Sequence, residues 1–87
     1  MEFDCKYYVE LETLRNATTR ELERMGIYTF SELLKEATNL RNKCIEEANL
    51  QAYYGDITYD KGQVIALINT KFMMLISQAP TKVDIEY

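Results

Sequence analysis

The side chains that could perform chemistry in this sequence are thiols, carboxylates, lysines and tyrosines, because the chain has no histidine. Without histidine there is no Ser-His or Cys-His nucleophile pair, no histidine metal ligand and no side chain that ordinarily titrates near neutral pH. No pair of carboxylates or lysines has a spacing that marks it as a catalytic acid and base. The sequence therefore predicts a protein that is not an enzyme and binds no cofactor.

The two cysteines, Cys5 and Cys44, lie far apart in the sequence, and neither belongs to a Cys-x-x-Cys pair. This spacing disfavours a structural zinc site. A disulfide between them is the alternative to two reduced, buried thiols. Because residues 1–4 are acidic and lack the apolar segment of a secretory signal, we expect reduced thiols and a cytoplasmic location.

Residues 56–62 place oxygen-bearing side chains at three alternate positions, as the first half of a calcium-binding loop does. Lys61 stands where such a loop needs glycine, and Leu67 stands where a bidentate glutamate would complete the coordination shell. The segment therefore predicts no metal site. Thr58 and Asp60 are better interpreted as capping residues before a helix.

A cluster of tyrosines around Gly55 is the strongest candidate binding surface in the sequence. Tyrosine offers a large, rigid contact area with a polar tip and is enriched at the energetic centres of interfaces. The alternative is that Tyr54 and Tyr59 seal the end of the core while their hydroxyls reach water. The predicted partner-binding residues of this loop are Tyr53, Tyr54, Asp56, Tyr59 and Asp60.

The net charge of −4 is concentrated near the start of the chain, where residues 1–12 carry four carboxylates and one lysine. An acidic surface there would complement a basic surface on another protein. We therefore add Asp4, Glu10 and Glu12 to the predicted partner-binding residues. No basic stripe suits a phosphate backbone, so the charge pattern disfavours nucleic acid as a partner. The most apolar segment, residues 64–76, is shorter than a membrane-spanning helix, so no membrane contact is expected.

Residues 22–34 resemble the opening half of helix-hairpin-helix units, in which a helix, a glycine-hydrophobic turn at Gly26 and a second helix follow one another. In that family a Gly-x-Gly hairpin then presents backbone N–H groups to DNA phosphates. The resemblance implies DNA binding as an alternative function. No Gly-x-Gly hairpin follows in this sequence, so the phosphate contacts of the family have no matching residues here.

Capping residues mark the start of three helices. Thr18 with Glu21 forms a capping box that predicts a short helix over residues 18–26. Gly26 would end that helix in a Schellman turn, because glycine is comfortable at positive φ. Asp60 at the cap position predicts a last helix that runs to about Gln78, just before Pro80.

A second capping box, Thr29 with Glu32, predicts an amphipathic helix of about 24 residues, or roughly 36 Å. Its predicted apolar face comprises Phe30, Leu33, Leu34, Ala37, Leu40, Cys44, Ala48 and Ala52. The last helix is apolar on most of its circumference, so it is expected to be the buried centre of the domain or to be covered by a second subunit.

The two ends of the chain alternate between apolar and polar residues, which is typical of strands. Residues 2–12 keep this alternation throughout. A helical stripe competes with it, but that stripe would leave Cys5 and Val9 facing water, so we favour the strand. Residues 82–87 alternate again and predict a short strand that pairs with the first.

The sequence thus predicts a single α+β domain over residues 1–87, in which a short, a long and a buried helix are flanked by two strands. An all-α bundle is the alternative. The predicted function is a small acidic regulatory protein that occludes a partner's surface, as inhibitors encoded by phages and mobile elements do. The alternatives are a homo-oligomeric assembly subunit, joined through residues 64–76 or open strand edges, and a DNA-binding helix-hairpin-helix-like module.

Overall fold

A computed structural model of the chain describes residue 3, residues 5–55 and residues 60–84. These residues form four α-helices and one turn of 3₁₀ helix. They are α1 (Lys6–Asn16), α2 (Thr19–Arg24), α3 (Phe30–Tyr53), α4 (Lys61–Gln78) and the 3₁₀ turn Ala79–Thr81. Helices α1, α3 and α4 pack against one another in pairs and form an elongated bundle of 43 × 20 × 18 Å.

The core divides into two clusters of buried residues. The larger one joins α2 to the three bundle helices and comprises Leu11, Leu14, Ala17, Leu22, Ile27, Leu33, Ala37, Leu40, Leu75 and Ala79. The smaller one comprises Cys5, Cys44, Ala48, Val64 and Ile68. Three of the five members of the smaller cluster are cysteine or alanine, so it buries less apolar surface and contributes less to stability. Helix α3 runs through both clusters and connects them.

The joint between α2 and α3 is a Schellman turn, as predicted. Gly26 has a φ of 80°. The N–H of Ile27 donates to the carbonyl of Leu22 at 2.9 Å, and the N–H of Gly26 donates to the carbonyl of Glu23 at 3.0 Å. These bonds satisfy the last carbonyls of α2 and place the side chain of Ile27 in the core beside Leu22.

A capping box begins α3 immediately after this turn. The hydroxyl oxygen of Thr29 accepts from the N–H of Glu32 at 3.2 Å, and Oε1 of Glu32 accepts from the N–H of Thr29 at 3.0 Å. The same oxygen accepts from the N–H of Tyr28, also at 3.0 Å. The hydrogen bond from Tyr28, followed by those from Thr29, holds the pKa of Glu32 below its usual value. Helix α3 therefore starts from a carboxylate that stays ionised.

The predicted extents of the two longer helices are confirmed. Helix α3 has 24 residues, and α4 ends at Gln78 just before the 3₁₀ turn that contains Pro80. The buried residues of α3 are Leu33, Ala37, Leu40, Cys44 and Ala48. Leu34 is exposed, contrary to the prediction. On α4, Val64, Ile68 and Leu75 are buried, while Ile65, Phe72 and Ile76 are half-buried.

The predicted α+β fold is wrong, and the all-α alternative is correct for the described residues, which contain no strand. Most of the first predicted strand is helix α1, which buries Leu11 and Leu14 in the core. As a consequence of this helical conformation, the apolar residue Val9 is 62% exposed. Cys5 stays buried because it precedes the helix with an extended backbone, so its side chain does not follow the helical period.

The predicted C-terminal strand is also wrong where the structure describes it, at residues 82–84. Asp84 makes one isolated parallel bridge with Thr29 instead of pairing with the N-terminal segment. Its carbonyl accepts from the N–H of Phe30 at 2.8 Å, and its own N–H donates to the carbonyl of Tyr28 at 3.3 Å. The last described residues are therefore held by the α2–α3 joint. Residues 85–87, the rest of that predicted strand, lie outside the described residues.

Lys82 ties this C-terminal segment to the ends of two helices. Its ammonium donates to the carbonyl of Arg15 at 2.6 Å, which satisfies an unpaired carbonyl at the C-terminal end of α1. Its own carbonyl accepts from the hydroxyl of Thr19 at 2.9 Å at the start of α2. The C-terminal segment thus fastens α1, α2 and the start of α3 to one another.

Substitution of Gly26 by alanine is expected to lower the free energy of unfolding by about 1 kcal/mol or more, because an L-residue is strained at positive φ. Apart from Gly26 and its two chain neighbours, no residue has a heavy atom within 4 Å of the Cβ position at Gly26, so the expected loss comes from the backbone and not from a clash. Urea unfolding followed by circular dichroism measures it. Ser31→Ala, an exposed change in the first turn of α3, is the control. Unchanged stability of the Gly26 variant would refute the role of the positive φ.

Candidate functional site

Tyr53 and Tyr54 form an exposed aromatic pair at the C-terminal end of α3. Their side chains are 82% and 70% exposed. The two rings meet edge to face, with centroids 5.1 Å apart and planes inclined at 88°. Because each ring rests against the other, the pair is partly ordered before any partner arrives. Tyr54 therefore does not seal the end of the core, contrary to the alternative prediction for this residue.

Asp60 is the N-cap residue of α4, and its carboxylate binds the start of the helix. Its Oδ1 accepts from the N–H groups of Gly62 at 2.8 Å and Gln63 at 3.4 Å. Asp60 remains exposed, but its first role is that of a cap. Asp56 and Tyr59, the other predicted residues of the loop, lie outside the described residues.

The predicted acidic surface near the N-terminus is divided between two sides of α1. Glu12 forms an ion pair with Lys71 of α4, with 3.2 Å between Oε1 and Nζ. Two positions along a helix correspond to about 200° of rotation, so Glu10 faces away from Glu12. Glu10 is exposed and lies at the α1–α3 side of the bundle, where it lines a groove. Asp4, the third predicted residue, lies outside the described residues.

A groove of about 350 Å³ opens between α1, the α2–α3 joint and α3; we call it the Glu10–Glu36 groove. Its lining residues are Glu10, Thr13, Leu14, Met25, Ile27, Glu36 and Leu40. Leu14, Ile27 and Leu40 are core residues, so the floor is apolar. The two carboxylates come from different helices, Glu10 from α1 and Glu36 from α3. The sequence does not predict this groove, because a strand over residues 2–12 would remove the wall that α1 provides.

Four backbone N–H groups of the α2–α3 joint, those of residues 26–29, are not free to bind a phosphate. The N–H groups of Gly26 and Ile27 donate to carbonyls of α2, and those of Tyr28 and Thr29 donate to the carboxylate of Glu32. Phosphate recognition by such a turn requires unpaired N–H groups. The joint is therefore built to connect two helices, and it places a carboxylate where a phosphate would approach.

The two cysteines are free and adjoin one another in the smaller core cluster. Cys44 is fully buried and Cys5 nearly so. Burial, together with the neighbouring Cys5, raises the pKa of Cys44 to about 12. At neutral pH Cys44 is therefore a thiol that packs as a small apolar side chain and not a nucleophile.

The described part of the chain contains neither a metal site nor a membrane-crossing helix. No group of three or more cysteine, aspartate or glutamate side chains there could hold a metal ion. None of the helices described is both long enough and apolar enough to cross a bilayer. In comparisons with known proteins, no protein family, no curated protein and no solved structure matches this chain.

Both cysteines of the native protein are expected to react slowly with iodoacetamide at mildly alkaline pH. Burial shields both sulfur atoms from the reagent, and the raised pKa of Cys44 keeps it protonated. Mass spectrometry of timed samples measures the modification, and the same protein unfolded in urea supplies the control. Modification of the native protein as fast as that of the unfolded protein would show that the thiols are accessible.

Proposed function

We propose that this chain is a non-enzymatic protein-binding regulator that acts by covering a surface of its partner. The observation that carries the proposal is the exposure of Tyr53 and Tyr54 at one end of the bundle. The two tyrosine rings are adjacent, exposed and in contact with one another. Tyrosine is one of the residue types that contribute most of the binding energy at protein interfaces. Tyrosine also loses little rotational freedom when it is buried, so binding through it is entropically inexpensive.

The position of the pair at the end of α3 further supports this proposal. Tyr54 is the C-cap residue, and its N–H donates to the carbonyl of Leu50 at 3.0 Å. Gly55 follows with a φ of 75°, which turns the chain away from the helix axis. The backbone that carries the two rings is therefore anchored to the last turn of α3. The rings project from a fixed element instead of hanging from a free segment.

Further features support a regulator rather than an enzyme. The ammonium of Lys71 is held by Glu12 and lies 5.6 Å from the ring centre of Tyr8. The thiol of Cys44 is protonated at neutral pH because burial raises its pKa. We also propose that the protein works in the cytoplasm, because free thiols are typical of a reducing compartment.

The double variant Tyr53→Ala/Tyr54→Ala is expected to weaken partner binding by about 2 kcal/mol or more, roughly 30-fold, as interface tyrosines do. Its free energy of unfolding should change by less than about 0.5 kcal/mol, because both side chains are exposed. Affinity capture from a lysate of the source organism identifies the partner, and calorimetry with the purified partner measures the dissociation constant.

Tyr28→Ala is the matched control, since Tyr28 is also exposed but lies beside the other end of α3. It removes the same side chain and should leave partner binding unchanged. The proposal fails if the double variant binds as well as the wild type, or if the Tyr28 variant loses as much affinity.

A second candidate function is self-association through the outer face of α4. Leu67, Met73 and Met74 are exposed on this helix, and Met73 is 66% exposed. Between Ala66 and Ser77 the only charged residue of α4 is Lys71, which is paired with Glu12. A second copy could therefore pack on this face without bringing like charges together.

Self-association predicts a dimer in sedimentation velocity at micromolar concentration. Met73→Glu should shift the protein to a monomer, because two carboxylates would meet at the interface. Asn49→Glu, which adds the same charge at an exposed position of α3, should leave the dimer intact. A wild-type protein that sediments as a monomer throughout this range would eliminate this candidate.

A further inference from the structure

We propose that the Glu10–Glu36 groove is a docking site for an amphipathic segment of another protein that carries an arginine or lysine. The proposal rests on the proposed function, that the chain binds a protein, but it uses a surface separate from the tyrosine pair. The partner segment is expected to present apolar side chains with a cation among them.

The walls of the groove combine apolar surface with two carboxylates. Leu14 and Leu40 supply the floor, and each lies one helical turn from the glutamate of its own helix. Glu10 and Glu36 therefore flank the same apolar strip from two sides. A lysine or arginine can lay its methylene stem along such a strip while its charged end meets a carboxylate.

Both carboxylates are available to a partner. Glu10 and Glu36 are exposed, and neither forms an ion pair or a hydrogen bond within the described part of the chain. In contrast, Glu12 is engaged with Lys71, and Glu32 is engaged with the backbone of the joint. Lys35 lines a neighbouring concavity but not this groove. The residues that line the groove thus include two carboxylates and no lysine or arginine, which favours a cationic occupant.

The same charges exclude other classes of occupant. A nucleic acid or an anionic membrane would bring phosphates against two carboxylates, which repel them. The volume of the groove lies within the range of concave ligand-binding sites. Met25 borders the groove and is half exposed, so it offers an adaptable apolar contact to the occupant. A basic amphipathic helix presents this combination of groups along one face.

The test uses a fluorescein-labelled helical peptide of leucine and lysine, about four turns long. A peptide of the same length with glutamate in place of lysine is the comparison. We expect saturable binding of the lysine peptide in fluorescence anisotropy and no binding of the glutamate peptide. In ¹H–¹⁵N spectra of the full chain, the amide shifts should centre on the residues that line the groove.

Matched variants separate docking in the groove from general attraction to an acidic protein. Glu10→Gln/Glu36→Gln should weaken the lysine peptide about tenfold, as the loss of two exposed charge pairs predicts. Glu23→Gln/Glu46→Gln makes the same change in net charge at exposed positions outside the groove and should have little effect. Met25→Ser should also weaken binding, and this loss should persist at high salt because it is apolar. All these positions are exposed, and circular dichroism checks that each variant is folded.

The proposal is overturned if the lysine peptide does not bind, if both double variants weaken it equally, or if the amide shifts centre outside the groove. The Tyr53→Ala/Tyr54→Ala variant should bind the peptide as the wild type does. Loss of binding in that variant would place the peptide at the tyrosine pair and refute docking in the groove. A negative peptide result would leave the tyrosine pair intact as a surface, so the two proposals fail separately.

Discussion

The α2–α3 joint is the constraint on which the rest of the structure depends. Gly26 turns the chain at positive φ. The carboxylate of Glu32 then accepts hydrogen bonds from two backbone N–H groups at the start of α3. This geometry sets the direction of the longest helix, against which α1 and α4 pack. It also places Ile27 in the core and offers the strand-like bridge that holds Asp84. The joint thus positions one wall of the Glu10–Glu36 groove and anchors the C-terminal segment.

The helical part of the fold could be predicted because caps are local. A Thr with a Glu three positions later defines a helix start through bonds within four residues, so no knowledge of distant packing is needed. For the same reason the glycine turn could be located from the sequence alone. The end of α4 could be predicted because Pro80 disfavours continuation of a helix regardless of context.

The first helix could not be predicted because its segment satisfies two periods at once. Alternation through Cys5, Tyr7, Val9 and Leu11 suggests a strand, whereas Tyr7, Leu11 and Leu14 mark a helical face. The decision depends on whether Leu11 and Leu14 find partners, and those partners come from α2, α3 and the end of α4. Tertiary packing therefore overrides the local pattern, and Val9 is left exposed as a result.

The two candidate sites differ in how far they could be predicted. The Glu10–Glu36 groove lies between elements that are distant in sequence, so no local pattern could indicate it. The tyrosine pair could be predicted because its two members are neighbours in the sequence.

The unequal division of the core has a consequence for how the molecule opens. The cluster around Leu22 draws on every helix, whereas the cluster around Cys44 consists largely of small side chains. Local unfolding free energies follow the apolar contacts that an opening breaks, so the two ends of α3 should exchange their amide hydrogens at different rates. The last turns of α3 should be the less protected unit and the turns near Leu33 the more protected one. A partner that binds at Tyr53 and Tyr54 would therefore also stabilise the C-terminal end of α3, the part of the bundle that is expected to open first.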